Sequence, residues 1–442
     1  MKNLKLAAVC LSCLTMTGCS ALNFSVEGLI NAPKLTSEQS EIHQALIESV
    51  GSNITLKYPK NGEYRSAYVI ANIDDEPTDE AMVFYEYTSN GSEEDGLRVN
   101  ILDKDEDGKW YSVKELAGAG TDIDQVIISP MGSNNQTDVF VGYQNLTNDE
   151  KTMEIYSYTD GDFKRVALDT YSVLEPLDIN NDGYIELITI QRSTNNDTGA
   201  VTAKASMLNM KNNEITRGEN VDMCDNVTSY VSSKTGMLDS GRRAIFIDGL
   251  TADGKLQTEI IYYSGLQNPM QLRSEKLLPL CTRPAGYYSE DMDGDGDVEI
   301  PSTSPMVGYE NAVADEMLYM TTWSVYEDFY DLKTKYTGYY AISDGYFVTF
   351  PKRWNSSVTV KKDSDTNELV FYKYTGDINE SNEEIMRIAV SSKNDSEDYI
   401  SDGYELIDSK GQLDYFVKLP LDRREKLIPT IDEIQNNFYI IN

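Results

Sequence analysis

Between residues 291 and 300 the chain reads DMDGDGDVEI, with acids at every second position, then a glycine, then an acid before an apolar residue. Calcium takes roughly six to eight oxygen ligands, and side chains at positions one, three and five of a tight loop converge on one point. Glycine at position six permits the sharp turn, a backbone carbonyl at seven adds an oxygen, and a later acid closes the shell. Here that set is Asp291, Asp293, Asp295, the carbonyl of Asp297, and Glu299. A second stretch, DINNDGYIE, offers Asp178, Asn180, Asp182, the carbonyl of Tyr184, and Glu186 in the same frame. An EF-hand would close on a Glu at position twelve, where Ser302 and Thr189 stand, so an acid at nine marks a different loop. Carboxylates this crowded repel one another unless a cation neutralises them. The expectation is two structural calcium sites, with an ion-free, Asx-rich turn as the other reading of the same residues.

The frame recurs along the chain. NIDDEPTDE, from Asn72, has Pro77 where glycine is needed and closes on Glu80, and weaker echoes are built on Asp138 and Glu259. DKDEDGKW, from Asp103, has Tyr111 at position nine and reads as a hairpin turn. Around the copies lie short runs such as AYVIANI, AMVFYEY, LRVNIL and DVFVGY, separated by Gly, Asp and Asn clusters, with no long helix pattern between 55 and 310. Several short strands per repeat are the signature of a propeller blade, which buries both faces only by stacking on its neighbours.

The frame D-x-[DN]-x-[DN]-G-x-x-[DE] followed by apolar residues resembles the FG-GAP/VCBS repeats of integrin-α-like β-propellers. The layout resembles the VCBS-repeat lipoproteins of Gram-positive bacteria. That resemblance implies a β-propeller of five or more blades over residues 55–337. From 338 to 442 strands such as LVFYKY, MRIAV and DYFVKLP lack the frame, and PTIDEIQNNFYII reads as a closing helix. The fold class expected is therefore mainly β, a propeller followed by a small α+β domain.

The N-terminus places the molecule. Lys2 and Lys5 precede an apolar run too short to span a bilayer, and MTGC resembles a lipobox. Residues 1–18 read as a signal peptide, Cys19 as the lipidated new N-terminus, and 19–54 as a tether with a short helix. The expected location is the extracytoplasmic face of the cell membrane, held by that lipid. Of the remaining cysteines Cys224 and Cys281 fall in the folded part, as one disulfide or as two buried thiols.

With 38 basic against 73 acidic residues, the net charge of −35 repels nucleic acid and suits cations or neutral polymers such as glycans. Serine-triad and histidine-zinc chemistry lack material, because His43 is the chain's one histidine. Acids crowded on polar loops are built for cations, whereas a general acid needs apolar burial. The expectation is a non-catalytic, calcium-stabilised module that binds a protein or glycan; the alternative is a propeller glycoside hydrolase or lyase using paired carboxylates. The aromatic stretch 317–340 reads as packing against the C-terminal domain before a sugar platform.

Overall fold

The structure is a computed structural model that describes residues 35–441, apart from 75, 89–95, 132–136, 146–149, 160–161, 196, 212–213, 239, 265–270, 277–280, 314–315 and 328–330. The signal segment and Cys19 lie outside the described residues.

Four apolar runs carry the architecture. Glu80–Tyr87, Thr137–Gln144, Glu186–Thr194 and Arg243–Thr251 each contain five or six consecutive buried residues. A strand covered on both faces loses polar alternation, which is why AMVFY and AIFI read as unbroken apolar stretches. Trp110–Ala117 alternates buried or half-buried with exposed residues, as a half-covered strand should.

Each of these runs is the second strand of an antiparallel sheet. Sheet 1 joins Ile54–Leu56 and Tyr68–Ala71, both against Glu80–Tyr87, then Leu97–Lys104 and Trp110–Ala117. Sheet 2 runs Asp122–Pro130, Thr137–Gln144, Lys151–Thr159, Asp162–Tyr171. Sheet 3 runs Val173–Leu177, Glu186–Thr194, Val201–Lys211, Glu214–Arg217, and sheet 4 Val227–Met237, Arg243–Thr251, Lys255–Ser264, Gln271–Lys276. Sheet 5 comprises Ile300–Pro305, Tyr319–Glu327, Asp331–Ala341 and Tyr346–Thr349, and Phe438–Ile440 from the chain's end pairs with Tyr346–Thr349.

Apolar layers join consecutive sheets. Phe84 and Val99 meet Val139 and Tyr156; Phe140 and Met153 meet Leu187 and Leu208; Ile188 and Ala205 meet Ile245 and Ile261; Phe246 and Ile260 meet Val298 and Ile300. Up-and-down sheets stacked face on face in chain order are the blades of a β-propeller. Helix α1 (Ser37–Val50) starts on a capping box between Thr36 and Gln39 and buries Ile42, Ala45 and Leu46 against sheet 1.

Sheet 6 orders Val358–Lys362, Leu369–Lys373, Glu384–Ser392, Leu413–Lys418 and Glu405–Lys410, with α2 (Ser396–Ser401) before the last-named strand. Its core of Trp354, Phe371, Ile388 and Tyr415 is continuous with Tyr346 and Val348 of sheet 5. Three details differ from the sequence reading. The boundary placed at 338 falls inside Asp331–Ala341, because that strand pairs with Tyr319–Glu327. The closing helix is one short turn, α3 (Ile431–Gln435), because Phe438–Ile440 pairs as a strand. Cys224 and Cys281 are both buried and are not bridged to each other.

Gly142 lies in the second strand of sheet 2, where a β-carbon would overlap the hydroxyl of Tyr171, itself donating to buried Asp124 at 2.6 Å. Gly142→Ala is expected to destabilise the protein by about 1–3 kcal/mol, read as a lowered midpoint in thermal melting.

Candidate functional site

The acidic loops share one bond. In sheets 1, 2 and 3 the carboxylate at the start of the second strand, and in sheet 5 the one just before Ile300–Pro305, accepts the backbone N–H of the residue seven positions earlier. Ile73 N donates to Glu80 Oε2 at 2.7 Å, Met131 N to Asp138 Oδ2 at 3.4 Å, Ile179 N to Glu186 Oε2 at 3.1 Å, and Met292 N to Glu299 Oε2 at 2.8 Å. All four acids are at most 3% exposed. The echo built on Glu259 is not a member: Glu259 lies in the third strand of sheet 4 and accepts from Cys224 N. The second strand of sheet 4 opens instead on Arg243, whose Nη1 reaches the Asp178 carbonyl at 3.0 Å and Asp178 Oδ2 at 3.2 Å.

What the second oxygen of each acid meets differs from sheet to sheet. Asp138 Oδ1 accepts the Ser157 hydroxyl, and Glu186 Oε1 accepts the Asn180 amide at 2.8 Å. Glu299 Oε1 accepts Lys335 Nζ at 2.8 Å. Glu80 Oε1 is buried and has no hydrogen-bond partner among the described residues.

The loop 291–299 brings three of its five predicted ligands together. Oxygens of Asp291, Asp293 and Glu299 lie within 4.8 Å of one another. Gly296 adopts φ +94°, as the turn requires, and donates to Asp291 Oδ2 at 3.0 Å. Asp297 N donates to Asp295 Oδ1 at 3.0 Å. An ammonium stands among these oxygens: Lys335 Nζ is 2.8 Å from Asp293 Oδ2, 2.6 Å from Asp295 Oδ2 and 2.8 Å from Glu299 Oε1. Burial lowers the Lys335 pKa, but the three carboxylates outweigh it and hold it above the ordinary range. Burial likewise pushes Glu299 up, with Lys335 opposing. Tyr336 adds its hydroxyl to Asp293 Oδ2.

In loop 178–186, Gly183 again has φ +94° and donates to Asp178 Oδ2 at 3.2 Å. Asp182 N donates to Asp178 Oδ1 and Asn180 Oδ1, and Tyr184 N to Asp182 Oδ1 at 3.0 Å. The Asn180 amide also reaches Asp182 Oδ2 at 3.0 Å, so its two donors occupy the middle of the loop. Burial, reinforced by the Asp182 charge, pushes Glu186 up to about 7.

The first loop opens on a cavity of about 270 Å³ lined by Asp74, Glu80, Asp103, Tyr111 and Tyr158 among others. Ala81 pairs with Leu102, which places Glu80 and Asp103 beside each other at the ends of adjacent strands. Burial is the main cause that pushes Glu80 up to about 7, and Asp74 and Asp103 add to it. Glu80 and Asp103 were visible in the sequence only as the ends of an imperfect frame and a hairpin, with nothing to say that pairing makes them neighbours.

No protein-family model matches this sequence, and no curated protein matches it. Among solved structures the chain is similar to a protein from Lactobacillus plantarum (12% identity, 74% of this chain and 93% of that one, TM-score 0.30). It is also similar to a rhamnogalacturonan lyase from Bacillus licheniformis (8%, 72% and 74%, TM-score 0.29) and an α-L-arabinanase from Penicillium chrysogenum (10%, 83% and 98%, TM-score 0.28). The expectation that the chain performs no chemistry stands against these likenesses, which include a lyase and an arabinanase but at identities and TM-scores that assign this chain no activity. The aromatic stretch serves packing where it is described: Trp323 is fully buried against Tyr340 and Phe347. His43 is half-buried on α1, its Nδ1 2.8 Å from the Tyr68 hydroxyl.

Lys335→Met leaves Asp293, Asp295 and Glu299 facing one another. In chelator the variant is expected to lose about 1–3 kcal/mol of stability. Added calcium should raise its melting midpoint more than it raises that of the parent protein, because the ammonium no longer competes for the same oxygens.

Proposed function

We propose that this chain is a lipid-anchored, extracytoplasmic β-propeller that cleaves a polysaccharide, with Glu80 and Asp103 as its pair of carboxylates. The observation that supports this reading is the one acid of the four whose second oxygen is buried, unpartnered and set in the wall of a cavity. In the other three sheets a hydroxyl, an amide or an ammonium engages that oxygen, so the carboxyl serves only to hold its loop.

Glycoside hydrolysis needs one carboxyl protonated near neutral pH and a second carboxylate able to act as base or nucleophile. Burial beneath the loop supplies the first condition at Glu80. Glu80 donates its proton to the departing glycosidic oxygen, and Asp103 on the adjacent strand activates the attacking water or attacks directly. Tyr111 and Tyr158 offer aromatic faces in the same cavity for sugar rings. In this reading calcium braces loops 178–186 and 291–299. A calcium ion and the Lys335 ammonium exclude each other in the second of these, and Arg243 stands beside Asp178 in the first. The ion braces the fold and takes no part in the cleavage step.

Incubating the purified ectodomain with panels of cell-wall and plant polysaccharides tests the reading. Soluble product is expected, and no product from any polymer would overturn it; an unsaturated sugar end in the product would show elimination in place of hydrolysis. Glu80→Gln should lower the rate by about 100-fold or more while the fold persists. The acid acts when protonated, so the rate should fall as pH rises through about 7, the value to which Glu80 is pushed. For the anchor, Cys19→Ser is expected to move the protein from the membrane fraction to the soluble one.

A further inference from the structure

The sheets have two ends, and the acidic loops occupy one. In sheet 3, Leu177 pairs with Glu186 at the loop end and Val173 with Ile190 towards the other; in sheet 2, Asp122 pairs with Gln144 at that other end. There, where the first strands of sheets 2, 3 and 4 begin, lies a cavity of about 320 Å³. Among the described residues every one that lines it is polar, and they include Lys151 and Arg192 but no carboxylate. In a chain with 73 acidic and 38 basic residues, that lining stands against the prevailing charge.

The two cations are not equivalent. Lys151 Nζ lies 2.8 Å from Oδ1 of Asp124, a carboxylate 1% exposed, so its charge is already matched. Arg192 donates from Nε to the Val227 carbonyl at 3.0 Å, which fixes the guanidinium plane. Among the described residues its terminal amino groups have no hydrogen-bond partner. Tyr230 also lines the cavity, and its buried hydroxyl has no partner among the described residues. One unmatched positive fork, surrounded by hydroxyl and amide groups of Ser172, Gln144 and Asn145, suits a single carboxylate on a polyhydroxylated body. A phosphate dianion would leave a second negative charge unmatched.

We propose that this cavity binds a hexuronate unit of an acidic polysaccharide, with Arg192 gripping the sugar carboxylate through its two free amino groups. The cavity is near the lower bound of about 300 Å³ for small-ligand sites, which fits one sugar unit with its neighbours projecting outwards. The net charge of −35 does not forbid this, since at physiological salt charges beyond about 8 Å are largely screened. The site stands apart from Glu80, which lies at the loop end of sheet 1.

Calorimetric titration of the full ectodomain with galacturonate and glucuronate trimers, a neutral galactose trimer and glucose 6-phosphate tests the proposal. At least one uronate trimer should bind, with the neutral trimer and the phosphate sugar at least about tenfold weaker. Arg192→Gln should weaken uronate binding by about tenfold or more, and Tyr230→Phe, which removes only a hydroxyl, by a smaller factor. Glu80→Gln should leave it unchanged, which separates this site from the proposed cleavage site. Binding of neither uronate trimer, equal binding of the neutral one, binding of the phosphate sugar alone, or indifference to both cavity variants would overturn the proposal.

Discussion

A backbone N–H that reaches forward seven residues to a buried carboxylate sets the geometry of four acidic loops in this protein. In sheets 1 to 3 the bond closes the turn into the second strand, in sheet 5 the turn into Ile300–Pro305, and each time it places one carboxylate oxygen under the loop, out of water. A buried ionised group left without compensation is costly, so the second oxygen needs a partner of its own. Sheet 2 supplies a serine hydroxyl, sheet 3 an asparagine amide and sheet 5 a lysine ammonium. Sheet 1 supplies nothing among the described residues; burial pushes its Glu80 up to about 7, as it does the partnered Glu186. One structural device thus yields three braces with both oxygens engaged and one with an oxygen unengaged among the described residues.

The strand order then distributes function. Because each second strand starts at a loop and runs back beside the first, everything built on the closing acids gathers at one end of the sheets. The opposite end collects the residues that start first strands and finish second strands, among them Gln144, Ser172, Arg192 and Tyr230. The apolar layers between consecutive sheets keep the two ends apart, so an acid-lined hollow and a cationic one coexist on one strongly acidic chain.

Much of this was legible because it is local. Acid spacing within nine residues fixed the turn, the two glycines at φ +94° and the identity of Glu186 and Glu299 as closing residues. Propeller blades followed from short strands between those turns. What the sequence concealed arises from pairing at a distance. Lys335 comes from a strand 36 residues beyond Glu299, and no spacing rule ties it to that loop. Glu259 imitated a closing acid because an apolar run follows it, but that run is a third strand, joined to the second by the buried polar pair Thr258 and Asp248. Asp103 read as part of a hairpin until strand register set it beside Glu80. The domain boundary was misplaced for the same reason, since texture changes at 338 while hydrogen bonding continues to Thr349.

That last strand has a mechanical corollary. Sheet 5 takes in Tyr346–Thr349 and then, after the whole of sheet 6, Phe438–Ile440. The C-terminal unit is therefore an insertion into the last blade, tethered by two chain crossings that share one hydrogen-bonded ladder. Two crossings resist swivelling as a single linker would not, so whatever tilts sheet 6 also torques sheet 5 and the Lys335-bearing strand beside it. Phe438–Ile440 must be made before that ladder can close, so sheet 5 is completed only after sheet 6 has been synthesised.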